Sequence, residues 1–154
     1  MATTSPSGKK DIQIDPRGYR IGAGITAVIA IVGLILGSGT AGTIVFAVLA
    51  VMFLPGATVG PQATLQSFLF KKLIRPRIGA PKETESFRPP RFAQLIGLIC
   101  AVLATAFGLA GVAPGFYVFA AFLLGASFLN SVFGFCLGCE IYLLLVRMRA
   151  PKAA

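Results

Sequence analysis

Histidine and tryptophan are absent from this chain, and charge is scarce, at 12% of residues. A soluble domain carries about 25% charged residues. The scarcity excludes an ordinary soluble globular domain and a disordered segment alike. Without histidine there is no imidazole base, and no nucleotide-binding glycine motif or hydrolase triad is present. A stand-alone enzyme is therefore not expected, nor is any cofactor. Acids are the rarest charged residues: five Asp and Glu face 14 Lys and Arg, a net charge of +9. Such an excess can mark a nucleic-acid binder, but here the placement of the charges argues otherwise.

What is plentiful is apolar sequence. Hydrophobic residues make up 56% of the chain, and the mean hydropathy is +0.84. No charged residue falls within 21–70 or within 92–139. One helical span needs about 20 apolar residues, so each stretch accommodates two spans and a turn. Gly37-Ser-Gly-Thr-Ala-Gly42 and Gly111-Val-Ala-Pro-Gly115 supply turn chemistry near the two midpoints. A buried soluble bundle would need polar outer faces, and these segments are apolar all round. The expected fold is an all-α membrane protein with four transmembrane helices near 19–37, 43–60, 92–112 and 115–135. They form two parallel helical hairpins within a single domain, 16–150, preceded by a flexible tail, 1–15. Pro55-Gly56 is expected to interrupt the second span.

The basic residues set the expected orientation. Lys9, Lys10, Arg17 and Arg20 precede the first span. Lys71, Lys72, Arg75, Arg77, Lys82, Arg88 and Arg91 fill the central loop, about 71–91. Arg147, Arg149 and Lys152 follow the last span. By the positive-inside rule both termini and this loop face the cytoplasm of a bacterial inner membrane. The excess of positive charge then serves an anionic lipid surface, and no nucleic acid is needed. The N-terminal segment is polar and shows no signal peptide. Residues 62–74 and 140–149 read as short interfacial helical segments, and 140–149 reads equally well as an extension of the fourth span.

A weak internal repeat relates the halves. Arg20 and Arg91, Gly37 and Gly108, and Arg75-Pro-Arg77 and Arg147-Met-Arg149 recur at one nearly constant spacing. Small residues four apart, Gly33 with Gly37 and Ala121 with Gly125, suggest close helix packing. Asn130, the most polar side chain of the fourth span, is expected to face the bundle.

Three cysteines remain. Cys100 reads as a small core residue. Cys136-Leu-Gly-Cys139 places two sulfurs on one helical face beside Glu140. Gly134 and Gly138 make a helix break plausible there, and a new helix beginning near Phe135 would favour thiolate. Glu140 would oppose ionisation by its charge or serve as proton acceptor for Cys136. Three readings stay open: thiol–disulfide or persulfide exchange, plain packing, or a metal site completed by a second chain. One chain offers too few ligands for a closed zinc site, so no metal is expected. On the cytoplasmic side the resting pair is expected to be a dithiol.

Asp15-Pro-Arg17, Arg88-Pro-Pro-Arg-Phe-Ala-Gln94 and Asn130-Ser-Val-Phe-Gly-Phe-Cys-Leu-Gly-Cys-Glu-Ile-Tyr142 resemble the bacterial, largely actinobacterial, family called domain of unknown function 4395. The resemblance covers about residues 12–149. Family members are often encoded beside thioredoxin-like proteins and rhodanese sulfurtransferases. The resemblance therefore implies sulfur or redox metabolism, with Cys136 and Cys139 as the reactive residues and such a protein as partner. Arg88, Arg91 and Arg147 are weaker binding candidates for an anionic partner or thiosulfate, as is Asn130. Two other functions are weighed. One is a small oligomeric transporter of a sulfur compound, and the other is a structural anchor for a soluble partner.

Overall fold

The computed structural model describes residues 13–60, 63–79, 84–86 and 88–149. The expected tail falls largely outside them. Asp15 opens the first helix, α1 (Pro16–Leu36), as its N-cap: the carboxylate accepts from the Arg17 N–H at 3.0 Å, and Pro16 takes the first turn, where no N–H is needed. The helix stops at Gly37, whose φ of 81° suits a residue without Cβ. After a tight turn α2 (Thr40–Thr58) returns antiparallel to it. The second hairpin consists of α5 (Arg88–Leu109) and α6 (Ala113–Phe128), turning at Gly111. Between the hairpins lie α3 (Leu65–Leu69), a π-helical turn (Phe70–Ile74) and α4 (Arg75–Ile78). A second π-helical turn (Leu129–Phe133) ends α6, and α7 (Leu137–Arg149) follows a break. One antiparallel pair of two-residue strands, β1 (Gln13–Ile14) and β2 (Glu85–Ser86), is the only β-structure among the described residues.

Four helices are long and apolar enough to cross a bilayer: 16–36, 40–58, 88–109 and 113–133. They pack as a ring, each against two neighbours: α1 on α2, α2 on α5, α5 on α6 and α6 on α1. The interior is built from small residues and a few rings. Ala30, Ala101, Ala104 and Ala120 are fully buried, and the Phe46 and Phe116 rings meet edge to face at 5.3 Å. The outside is apolar. Ile35 and Leu109 are each 79% exposed. A water-facing surface does not carry such a continuous apolar shell, whereas lipid solvates it without penalty. The surface is therefore consistent with a multi-pass membrane protein in contact with a bilayer.

Two expectations change. Pro55 does not interrupt α2, which runs unbroken to Thr58. Proline removes one backbone donor and crowds the preceding turn, but bundle neighbours hold such helices together. The expected small-residue face at Ala121 and Gly125 points outward, and nothing lies within 4 Å of a methyl placed on Gly125. The buried face of α6 is one position away, at Ala120, Leu123 and Ser127.

The repeat is visible in the packing. α3 lies on α1, and its counterpart α7 lies on α5. Arg20, in the first turns of α1, donates to the Ser131 carbonyl at the end of α6, at 3.4 Å. Arg91, at the matching place in α5, donates to the Ala57 carbonyl at the end of α2, at 3.2 Å. Each cation answers the partial negative charge of a helix C-terminus. The contacts gather the α1 and α5 N-termini, the α2 and α6 C-termini and α4 at one basic end of the bundle. The charge-free turns lie at the other.

A local ion pair secures that basic end. Arg17 bridges to Asp15 at 3.0 Å and donates to the Gly79 carbonyl at 3.0 Å. Burial alone would push the Asp15 carboxyl up. The side-chain and backbone hydrogen bonds from Arg17, with the Arg17 and Arg75 charges, outweigh it and hold the carboxyl below its ordinary value. A lowered carboxyl contributes stability above its ordinary value of 3.8 and loses it as pH falls through the lowered value. Asp15→Ala is expected to cost about 1 kcal/mol at pH 7. Thermal unfolding in detergent should show that difference shrinking in strong acid; a difference constant with pH would refute the ionic contribution.

Candidate functional site

The break after α6 is built by glycine. Gly134 adopts the left-handed conformation with φ 67°, and its N–H returns to the Asn130 and Leu129 carbonyls. The chain then needs a new N-cap, and Cys136 takes that place. Its carbonyl accepts from the Glu140 N–H at 3.0 Å, and its sulfur accepts from the Cys139 N–H at 3.2 Å. Cys136 is thus the cap of α7, and Cys139 is the third residue of its first turn. These two positions face each other in any capped helix, and here they are joined by a disulfide with Cα atoms 5.1 Å apart. The cap geometry brings the two side chains together, so the pair closes as a disulfide without moving the backbone.

The first half carries the same device in oxygen. At the repeat spacing, Thr64-Leu-Gln-Ser67 matches Cys136-Leu-Gly-Cys139. Thr64 caps α3, its Oγ1 accepting from the Ser67 N–H at 3.2 Å and donating to Ser67 Oγ at 3.1 Å. Two hydroxyls stand where the second half has two sulfurs. The sequence held this signal, and superposing the halves at the Arg75–Arg147 spacing would have found it.

Tyr19 completes the surroundings of Cys136. Its Oη lies 3.2 Å from Sγ, and a disulfide sulfur carries no proton, so the hydroxyl donates. Cys136 is half-buried and borders a cavity of about 70 Å³ between the halves. Thr26, Gln66, Gln94, Ser127 and Asn130 also line it. No charged side chain does so among the described residues. Cys100, buried and free, lines the same cavity from α5. Gln66 is 7% exposed, and its Oε1 has no hydrogen-bond partner.

The expected site residues separate into groups. Cys136 and Asn130 share the cavity, with Asn130 only 6% exposed. Cys139 is bonded to Cys136 and does not line the cavity. Glu140 is exposed, and its side chain has no hydrogen bond or ion pair among the described residues. Arg88 is half-buried at the start of α5. Arg91 is engaged as the cap of α2. Arg147 is exposed near the end of α7, away from the cavity. Tyr19 and Gln66 were not expected from sequence. They come from the first half, far along the chain from Cys136, and only packing brings them there. No group of three or more metal-ligating side chains occurs among the described residues.

Fold and site together define a four-span-type helical bundle with a sulfur pair at a helix N-terminus beside a polar cavity. The family model described as Domain of unknown function (DUF4395) matches residues 14–147, and the chain belongs to that family. Neither a curated protein nor a solved structure matches it significantly.

Proposed function

We propose that this protein is a membrane-embedded thiol–disulfide exchange centre. The carrying observation is the position of Cys136: N-cap of α7, with the Cys139 N–H and the Tyr19 hydroxyl both directed at its sulfur. Each donor, and the helix N-terminus itself, favours negative charge on that atom. In the reduced protein the Cys136 thiolate attacks one sulfur of a partner disulfide, and the partner's other sulfur leaves as a thiolate. Cys139 then attacks Cys136 Sγ, closing the internal disulfide and releasing the partner reduced. Two electrons pass from the pair to the partner. Glu140, exposed and next to Cys139, is the carboxylate placed to take the proton released. A thioredoxin-like or sulfurtransferase protein on the cytoplasmic side is the partner we favour. Arg147 and Arg149 extend a basic end toward it, and both termini lie on that side in this reading.

The test is a redox titration. Protein in lipid nanodiscs is equilibrated with glutathione and glutathione disulfide, then alkylated and read by peptide mass. Cys136 and Cys139 should convert together between dithiol and disulfide while Cys100 stays free. A pair that remains in one state across the whole series would end the proposal and leave it a packing feature.

A further inference from the structure

We infer that Arg20 is the positioning residue of the Cys136 centre: its guanidinium holds the break between α6 and α7 against α1, and so keeps the Cys136 sulfur on the Tyr19 hydroxyl. The inference rests on the reading of the cysteine pair as redox-active, and it names what sets the reactivity of the leading sulfur. The first support is where the guanidinium lies. Besides donating to the Ser131 carbonyl, Arg20 covers Gly134. A methyl on Gly134 would meet Arg20 Cζ, Nε and Nη1 at 3.4, 3.5 and 3.7 Å, so the planar group presents its face to the glycine. Gly134 is the left-handed residue that ends the π-helical turn, and Cys136 follows two residues later. Successive Cα atoms are about 3.8 Å apart, so a displacement at Gly134 passes directly to Cys136.

The second support is adjacency. Tyr19 and Arg20 are consecutive in α1, and they hold the two sides of one break. Arg20 takes Ser131 and Gly134, and Tyr19 takes Cys136 Sγ at 3.2 Å. The third support is the repeat. Arg91 makes the matching contact to the Ala57 carbonyl, but the residue before it is Pro90. The half that carries hydroxyls at Thr64 and Ser67 therefore has no phenol in the place of Tyr19. The arginine clamp is common to both halves, and the tyrosine stands only where there is sulfur to receive its hydrogen bond.

Charge acts in the same direction as position. A cation on the break favours the Cys136 thiolate, whereas Glu140, exposed beside Cys139, disfavours it. From α5, which packs on α7, come Arg91, turned to Ala57, and Arg88, the first residue of the helix. Position and charge are separable, because position acts through Tyr19 and charge does not need it.

The test follows alkylation of the reduced full chain by iodoacetamide in lipid nanodiscs across a pH series, with Cys136 read by peptide mass. The midpoint of the profile reports the thiolate, and the plateau reports access. Arg20→Gln should raise the midpoint by about one unit, a tenfold loss of thiolate at neutral pH. In a Tyr19→Phe background the same change should cost only about twofold, because the contact it positions is already gone. Arg20→Lys keeps the charge, loses the planar face and should cost about threefold; it carries the test if Arg20→Gln does not fold. Arg91→Gln loses the equivalent helix-end contact and should leave the Cys136 midpoint where it is. An unmoved midpoint in Arg20→Gln overturns the inference, and so does a change confined to the plateau. An equal move in Arg91→Gln overturns it as well, since the effect is then a loosening of the whole bundle. An undiminished effect in Tyr19→Phe, or an Arg20→Lys profile identical to wild type, also overturns it, because charge alone then accounts for the shift. None of these outcomes touches the redox titration of the wild-type pair; a wild-type pair fixed in one state removes the underlying reading instead.

Discussion

Cys136→Ser is expected to abolish disulfide exchange, whereas Cys139→Ser is expected to turn the protein into a trap for its partner. The asymmetry follows from the cap. Negative charge on the Cys136 sulfur is stabilised by the Cys139 N–H, the Tyr19 hydroxyl and the start of α7. A hydrogen bond to a charged group contributes about 1.5–3 kcal/mol, which corresponds to roughly 10- to 100-fold in thiolate population. Serine at residue 136 keeps the cap, since its hydroxyl serves that role well. The first half already shows the all-oxygen version at Thr64 and Ser67. Loss of exchange in Cys136→Ser therefore reports chemistry and not unfolding. In Cys139→Ser the mixed disulfide on Cys136 has no resolving thiol and accumulates. Incubation with glutathione disulfide followed by intact-mass analysis reads both outcomes. Accumulation on Cys139 in Cys136→Ser, with none on Cys136 in the other variant, would reverse the assignment.

The second large effect is steric. A methyl on Gly138 would sit 2.6 Å from both Cα and Cβ of Ala93 in α5. One of those atoms is backbone and has no rotamer to escape into. Overpacking of this kind costs about 1–3 kcal/mol, against a helix-propensity gain of about 1 kcal/mol for Gly→Ala. Gly138→Val, with more bulk and no such gain in propensity, should exceed Gly138→Ala and lift α7 off α5, separating the Phe92 and Tyr142 rings that now lie 5.7 Å apart. Gly125→Ala is the control, because its methyl would meet nothing within 4 Å. Denaturation midpoints in detergent should fall for both Gly138 variants, most for valine, and rise slightly for Gly125→Ala, which keeps the propensity gain without the clash. Equal midpoints across the three would show that α7 is not seated on α5.

The four long helices were legible because charge-free runs have one physical solution, and the glycine turns divided those runs. Which side of each helix faces inward was not legible. A helix apolar all round has no polar stripe to mark its outside, so Ala121 and Gly125 looked as suitable as Ala120 and Leu123. The break at Gly134 and the new helix beyond it were readable from local residues, and Cys136 was placed near its start on that basis. Tyr19 and Gln66 were not readable, because nothing local in either sequence neighbourhood refers to Cys136. Pro55 misled, since its cost in an isolated helix is offset inside a bundle.

The matched caps make the scaffold chemically one-sided: two like hairpins carry the same cap, and only the second has thiols where the first has hydroxyls. Thr64 and Ser67 preserve the shape without the electrons. In the proposed exchange each molecule therefore carries a single pair of reducing equivalents, and the hydroxyl-bearing half offers no second pair to compete for the partner.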